Sequence, residues 1–226
     1  MSSSTKDAVL AKIRASLGRP ADDATRRAAV AERLSTSPRG TIPARGQLPQ
    51  AEKVALFCTM AEKVQATIAR VANPAEVPAA VADYLRARNL PPRLRMGADP
   101  RLAAMPWSAQ THLEIEHGRA EGSDEVTCSH ATAGVAESGT LVLTSGNDNP
   151  TTLNFLPEHH VVVLSAADIE GDFESVWARI RASYGKGVMP RTVNMVTGPS
   201  RSADIEQTLL LGAHGPRALH IVVVGD

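Results

Sequence analysis

The strongest constraint on the fold is a set of short, almost continuous Val, Ile and Leu runs that alternate with helical patterns. Residues 160–164 and 219–224 are the clearest of these runs, and residues 140–144 and 192–197 share their character. Strands that are apolar at successive positions are buried on both faces, which is typical of parallel sheets covered by helices. The sequence therefore predicts an α/β fold with a largely parallel sheet flanked by helices.

Weaker patterns complete the predicted order of elements. Helices are expected at about 50–71, 75–89 and 171–184, where apolar residues recur at helical spacing. Short strands are expected at 93–96 and at 112–116, the second because polar and apolar residues alternate there. These elements predict one α/β domain over residues 50–226.

The first 49 residues have a different character. Apolar residues recur at every fourth position between 9 and 17, which predicts a helix, and an Ala/Arg-rich segment to about residue 34 indicates a second. Pro and Gly then recur up to residue 49 and predict an irregular connector. Residues 12–45 carry eight basic and three acidic side chains. This N-terminal helical arm either docks on an acidic surface or is simply solvated.

Composition excludes several classes of function. Aromatic residues make up 3%, and Lys plus Arg equal Asp plus Glu at 24 each, so nucleic acid is not an expected partner. The two cysteines, Cys58 and Cys128, form no pair motif, so this chain alone is not expected to hold an iron–sulfur cluster. With no apolar run near the ~20 residues of a membrane span and no signal peptide, the expected location is cytoplasmic.

A first candidate site is the segment Gly-Pro-Ser-Arg-Ser-Ala-Asp-Ile-Glu at residues 198–206, directly after a predicted strand. Ligands of open α/β sheets bind beyond the carboxyl ends of the strands. Gly198 permits close backbone approach, and Ser200 and Ser202 are candidate helix caps beside an anion. Arg201 is suited to contact a carboxylate or phosphate.

The same segment contains two acids, Asp204 and Glu206, each a candidate base, orienter of Arg201 or metal ligand. A purely structural interpretation stays open. Gly-Pro ends a strand, serine caps a helix, and early acids favour the helix dipole.

Two further segments contain polar side chains between glycines. Residues 133–140 read Ala-Gly-Val-Ala-Glu-Ser-Gly-Thr, in which Glu137 is a candidate for proton transfer or nucleophilic attack. A β-turn with exposed polar residues is the alternative. His214 lies in a loop between two glycines before the last predicted strand. It is either an acid–base candidate or a side chain that simply hydrogen-bonds the backbone.

Other signatures are missing from the sequence. His112, His117, Cys128 and His130 match no usual zinc spacing, so no metal site is expected. There is no Gly-x-Gly-x-x-Gly and no phosphate-loop lysine, so no nicotinamide or nucleoside-triphosphate signature is present.

Taken together, residues 133–140, 198–206 and 212–216 resemble the lactate-utilization (LUD) domain family, as does Leu-Pro-Glu-His-His at 156–160. The resemblance covers about residues 50–226. It implies a fold similar to the sugar-phosphate isomerase and coenzyme A transferase superfamily, with a site at the carboxyl edge of the parallel sheet. It also implies a subunit of a system that oxidises L-lactate to pyruvate. Two partner subunits would carry the iron–sulfur clusters, and no cofactor is expected in this chain.

On this interpretation the site binds a small carboxylate through Arg201, while Glu137 or Asp204 handles a proton. The remaining candidate substrate-binding residues are Ser138, Gly139, Thr140, Gly198, Ser200, Ser202, Glu206 and His214. Glu137-Ser138-Gly139 also looks like the Glu-x-Gly of some coenzyme A transferases, in which glutamate is the nucleophile. A stand-alone transferase or isomerase and a non-catalytic assembly protein therefore remain alternatives.

Overall fold

The computed structural model describes residues 4–18, 23–202 and 210–225. The chain divides into two units, residues 1–41 and 42–226. The first unit contains two helices, α1 (Thr5–Ser16) and α2 (Ala24–Thr36). Ser4 and Asp23 cap them, because each side chain accepts a hydrogen bond from a backbone N–H of the first turn.

The second unit contains the remaining helices and all the strands of the described residues. Its α-helices are α3 (Gln50–Lys63), α4 (Val77–Ala87), α5 (Pro100–Ala103), α6 (Thr152–Phe155) and α7 (Phe173–Tyr184). Its strands are β1 (Thr67–Val71), β2 (Arg93–Met96), β3 (Glu114–His117), β4 (Val126–His130), β5 (Ala133–Val135), β6 (Thr140–Thr144), β7 (His159–Ser165), β8 (Ile169–Glu170), β9 (Val193–Val196), β10 (Arg201–Ser202), β11 (Leu210–Leu211) and β12 (Ala218–Val224).

The main sheet has six strands in the order β1-β12-β7-β4-β2-β3, and every pair is parallel. Its two faces bury separate apolar clusters. Helix α3 packs on one face through residues such as Phe57, and helix α4 packs on the other through residues such as Val81. Successive residues of β7 and β12 are buried against opposite faces, which explains their continuous apolar runs. The predicted α/β class, with a largely parallel sheet flanked by helices, is confirmed.

A second sheet of four strands, in the order β8-β5-β6-β9, is mostly antiparallel. Helix α7 covers it, with Val176 and Ile180 packed against Val135 and Val142. The predicted strands at 140–144 and 192–197 therefore form, but they pair antiparallel with each other in this sheet. Gly198 consequently does not follow a strand of the parallel sheet.

The predicted helix at 50–71 is wrong beyond residue 63. Helix α3 ends at Lys63, Gln65 adopts a positive φ of 70°, and residues 67–71 are strand β1, paired with β12. A left-handed residue breaks a helix. The apolar residues 64 and 68 fit helical spacing, so only the strand pairing distinguishes the two possibilities.

Strand β4 has no counterpart among the predicted elements, although it lies near the middle of the main sheet. Its sequence, Val-Thr-Cys-Ser-His, is polar at three of five positions, yet every residue is buried. Buried polar groups need hydrogen-bond partners, and tertiary contacts supply them: Thr127 Oγ1 donates to the carbonyl of Leu153 at 2.6 Å.

Candidate functional site

A pocket of about 260 Å³ lies where the segment after β9 faces the first residues of two parallel strands. His160 and Leu219, each the second residue of its strand, belong to the pocket wall. The pocket therefore lies at the amino edge of the main sheet. Its lining residues in the described part of the chain are Asn154, Phe155, His160, Met195, Val196, Thr197, Gly198, Pro199, Ser200, Arg201, His214, Gly215, Pro216 and Leu219.

The expected position of the 198–206 segment, at the carboxyl edge of the parallel sheet, is wrong. Strand β9 pairs antiparallel with β6 in the second sheet, and the segment that follows it lies beside the first residues of β7 and β12. Ser200 does not cap a helix, because the next two residues, Arg201 and Ser202, form strand β10 against Leu211 and Leu210. The residues that Ser202 would cap are not among those that the structure describes. Asp204 and Glu206 lie outside the described residues.

Ser200 joins the segment to the loop at 212–216. Its backbone N–H donates to the carbonyl of Pro216 at 2.8 Å, and its carbonyl accepts from Gly212 N–H at 3.0 Å. Its Oγ accepts a third bond, from the backbone N–H of His214 at 3.3 Å. Ser200 thus holds two sequence-predicted segments together, and His214 is exposed beside it.

Two glycines let both candidate segments approach the end of helix α3. Gly198 has φ +76° and a Cβ there would overlap the carbonyl oxygen of Val64, while Gly139 has φ +66° and a Cβ would overlap the backbone of Ala61. Only glycine combines this conformation with this contact. The predicted close backbone approach at Gly198 is therefore toward the protein's own helix.

Arg201 supplies the cationic side chain of the pocket. Its Nη2 donates to the carbonyl of Val64 at 3.0 Å, and the residue is exposed. The remaining guanidinium N–H groups point to no other acceptor in the described part of the chain. Because no Asp or Glu is among the described lining residues, the free guanidinium donors of Arg201 make the pocket suited to an anion.

Behind the pocket lies a buried polar network that the sequence reasoning missed. Ser129 Oγ donates to Asn154 Oδ1 at 3.2 Å and lies 3.0 Å from His160 Nε2. With its hydrogen directed to Asn154, Ser129 accepts from His160, which makes Nε2 the protonated ring nitrogen. Burial lowers the pKa of His160 to about 3, so the ring is neutral. The only sequence signal was a polar residue inside an apolar strand.

Two atoms of this network have no hydrogen-bond partner in the described part of the chain. They are Nδ2 of Asn154, a donor, and Nδ1 of His160, an acceptor in the assigned tautomer. Both side chains line the pocket, but each of these atoms is covered in the structure. Leaving such groups unpaired costs stability.

Glu137 is not among the residues that line this pocket. It is 5% exposed, and its Oε2 has no hydrogen-bond partner in the described residues. Its backbone N–H donates to Gly171 at 3.2 Å. Ser138 and Gly139 complete the turn that contains Glu137, and Thr140 begins β6, with Ser138 Oγ 2.7 Å from Thr140 Oγ1. The expectation of an exposed polar turn does not hold for Glu137.

A second group that the sequence reasoning missed lies at the carboxyl edge of the main sheet. Arg101 donates to both carboxylate oxygens of Asp99, at 3.0 and 2.7 Å. Burial pushes the pKa of Asp99 upward, but the hydrogen bonds from Arg101 outweigh it and the pKa is lowered. Burial lowers the pKa of nearby His130, and Arg101 acts in the same direction. The available signal was Asp99-Pro100, which predicts a helix start but no site.

The described residues contain neither a cluster of metal ligands nor a membrane-spanning helix. Within residues 4–18, 23–202 and 210–225, no three His, Cys, Asp or Glu side chains come together as metal ligands would. None of the described helices combines the length and apolar character of a membrane-spanning segment.

Comparison with known proteins gives the family. Lactate utilization protein C from Geobacillus sp. (strain WCH70) is 41% identical over 93 residues, or 41% of this chain and 39% of that protein. The proteins of the same name from Bacillus licheniformis and Bacillus subtilis are 37% and 33% identical over 121 residues, or 53% of this chain and 50% of each relative. The matching stretch thus spans half or less of these relatives.

A solved structure shares the fold. The crystal structure of a DUF162 family protein from Deinococcus radiodurans matches with a TM-score of 0.59 at 20% identity, covering 79% of this chain and 99% of that one. The model of the LUD domain matches residues 54–224, nearly the whole α/β unit. This chain therefore belongs to the LUD domain family.

Proposed function

We propose that this chain serves in lactate utilization and that the amino-edge pocket binds the carboxylate of L-lactate. The observation that carries the proposal is the 33–41% identity to proteins named Lactate utilization protein C. The pocket supports it physically, because Arg201 offers a charge-assisted contact and the described lining residues include no carboxylate to repel an anion.

The proposed reaction is oxidation of L-lactate to pyruvate, which removes two electrons and two protons. The chain has two cysteines, fewer than the four thiolates that iron–sulfur clusters commonly use. The family resemblance implies two iron–sulfur partner subunits, and we propose that they accept the electrons while this chain positions the substrate. Glu137 and Asp204 remain the proposed proton-handling residues.

The test is reconstitution. The full chain would be purified with its two proposed partner subunits, and L-lactate-dependent reduction of an artificial electron acceptor would be measured with each subunit omitted in turn. The proposal expects reduction by the complete set and a loss when this chain is left out. Unchanged reduction without this chain would overturn it, as would normal growth on L-lactate after gene deletion in a strain without another lactate dehydrogenase.

A second candidate function rests on Glu137. Its buried, unpartnered Oε2 precedes Gly139 in the Glu-x-Gly arrangement, and an unpaired carboxylate is a candidate nucleophile. In a coenzyme A transfer, this oxygen would attack the acyl carbon of a thioester and expel the coenzyme A thiolate. That thiolate would then attack the glutamyl carbon and release the free acid.

Incubation with acyl-coenzyme A compounds and borohydride should then modify Glu137, and mass spectrometry would detect the modification. An unmodified Glu137 across the panel would remove this candidate.

A further inference from the structure

A second pocket lies at the opposite edge of the main sheet and shares no lining residue with the first. Its volume is about 700 Å³, within the usual range of ligand sites. The walls come from the segment after β3, the loop between β6 and α6, and the residues that lead into β9. Because β3 ends there, this is the carboxyl edge, where ligands of open α/β sheets bind.

Two arginines from different segments line this pocket. Arg119 follows β3 and Arg191 precedes β9. Within the described residues, neither guanidinium has an ion pair or a hydrogen bond, and no Asp or Glu lines the pocket. Asp148 belongs to the loop between β6 and α6 but is not among the lining residues, and it interacts electrostatically with Arg101. The pocket therefore holds two cationic side chains with no anion assigned to them.

The loop between β6 and α6 connects the segments that carry these arginines. Ser145 N–H donates to the carbonyl of Thr192 at 2.9 Å, and Thr192 N–H donates back to Ser145 Oγ at 2.9 Å. At the other end of the loop, Ala120 N–H donates to Thr152 Oγ1 at 3.1 Å. Each arginine is thus one residue from a backbone position tied to the same loop, so the backbone holds the two residues at the same pocket.

The same hydrogen bonds leave donors for a ligand. Ser145 Oγ and Thr152 Oγ1 act as acceptors toward the backbone, so each hydroxyl keeps its own hydrogen to donate. Two guanidinium groups and two hydroxyl groups offer more donors than a monocarboxylate can use. A phosphate dianion, with three terminal oxygens, matches them better, and arginine binds phosphate in a bidentate manner.

We propose that this pocket is a binding site for a small molecule that carries a phosphate group, held by Arg119 and Arg191. The pocket is much larger than inorganic phosphate, so an organic body occupies the remaining volume. The site does not depend on the proposed lactate pocket, because the two share no residue.

The test uses the full chain and isothermal titration calorimetry with inorganic phosphate, pyrophosphate and L-lactate. The proposal expects pyrophosphate to bind, phosphate to bind more weakly, and added salt to weaken both. Arg119→Gln and Arg191→Gln should each weaken pyrophosphate binding about tenfold, the loss typical of one charge-assisted hydrogen bond. Both residues are exposed, so both variants should fold, as thermal melting monitored by circular dichroism would verify.

The matched control is Arg86→Gln, an exposed arginine on α4 paired with Asp83, which should leave pyrophosphate binding unchanged. Absence of binding by both phosphate probes would overturn the proposal. Wild-type affinity in both pocket variants would do the same, and so would an equal loss in Arg86→Gln, which would indicate diffuse attraction by surface charge. Binding of L-lactate reports separately on the other pocket.

Discussion

The hydroxyl oxygens of Thr140 and Thr197 lie 2.8 Å apart and form a hydrogen bond between the first residue of β6 and the residue that follows β9. Thr140 follows the turn that contains Glu137, and Thr197 immediately precedes Gly198. This bond, extended to Ser138 Oγ at 2.7 Å, joins the two segments that the sequence distinguished. They meet through β6 and β9, and not through neighbouring strands of the parallel sheet.

Removing this hydrogen bond should destabilise the protein, and the effects of substituting Thr140 and Thr197 should not be additive. Thr140 is 1% exposed, so Thr140→Val should lower the free energy of unfolding by about 1 kcal/mol. Thr197→Val should have a smaller effect because Thr197 is exposed. A double-mutant cycle from urea unfolding should give a coupling energy of about 0.5–1.5 kcal/mol. Additive effects would contradict the bond. Thr59→Val, at an exposed position of α3 whose hydroxyl bonds the carbonyl of Ala55 in the same helix, controls for loss of a hydroxyl.

Gly198→Ala should destabilise the protein strongly. The φ of +76° strains an L residue, and the new Cβ would overlap the carbonyl oxygen of Val64. The control is Gly187→Ala, with a nearly identical φ of +79° and nothing within 4 Å. Strain alone should cost about 1–2 kcal/mol in both, and Gly198→Ala should lose clearly more in urea unfolding. Equal losses would show that Val64 moves aside at no cost.

Stability should depend on the protonation of His160. Burial lowers its pKa to about 3 from the ordinary 6.5. Between these values the unfolded chain binds more protons than the native one, so stability rises with pH and is lost as pH falls below about 6.5. The loss attributable to His160 at pH 5 is about 2 kcal/mol. His220, whose pKa burial lowers to about 4, contributes in the same direction.

His160→Gln should therefore flatten the plot of unfolding free energy against pH between 6.5 and 5, whatever its effect on stability at neutral pH. The measurement is urea unfolding at several pH values. His112→Gln, at an exposed position, controls for loss of a histidine. A slope equal to the wild type would show that His160 is accessible to protons in the native state.

Arg201→Gln should weaken L-lactate binding about tenfold, because a charge-assisted hydrogen bond to the carboxylate is lost. Arg201→Lys keeps the charge but not the planar fork, so an intermediate affinity is expected. Calorimetric titration would measure both, with Arg86→Gln as the control. Undiminished affinity in Arg201→Gln would remove this residue from the proposed lactate site.

The spacing of apolar residues predicted those helices and strands in which each face has one environment, either buried or exposed. Strands β7 and β12 are apolar at successive positions because both faces of the main sheet are covered, and helix α7 shows its apolar stripe for the same kind of reason. Strand β4 escaped prediction because two of its polar side chains, Thr127 and Ser129, bond residues distant in sequence, Leu153 and Asn154.

The sequence singled out several residues that line the pocket, but it placed them at the wrong edge of the main sheet. Gly198, Ser200, Arg201 and His214 do share one pocket, whereas Glu137 lies outside its wall. The buried polar network of Ser129, Asn154 and His160 left one local signal, a polar residue in an apolar strand, since its members come from three separate elements.

Local residue patterns were sufficient for the α/β class, for the helices and strands with one dominant face, and for the segments that need glycine. Those properties depend on neighbours along the chain, which the sequence shows directly. The partner and direction of each strand depend on contacts between residues far apart in sequence. Pairing of β9 with β6 instead of the parallel sheet moved the 198–202 segment to the amino edge. It also left Arg119 and Arg191 around a separate pocket at the carboxyl edge.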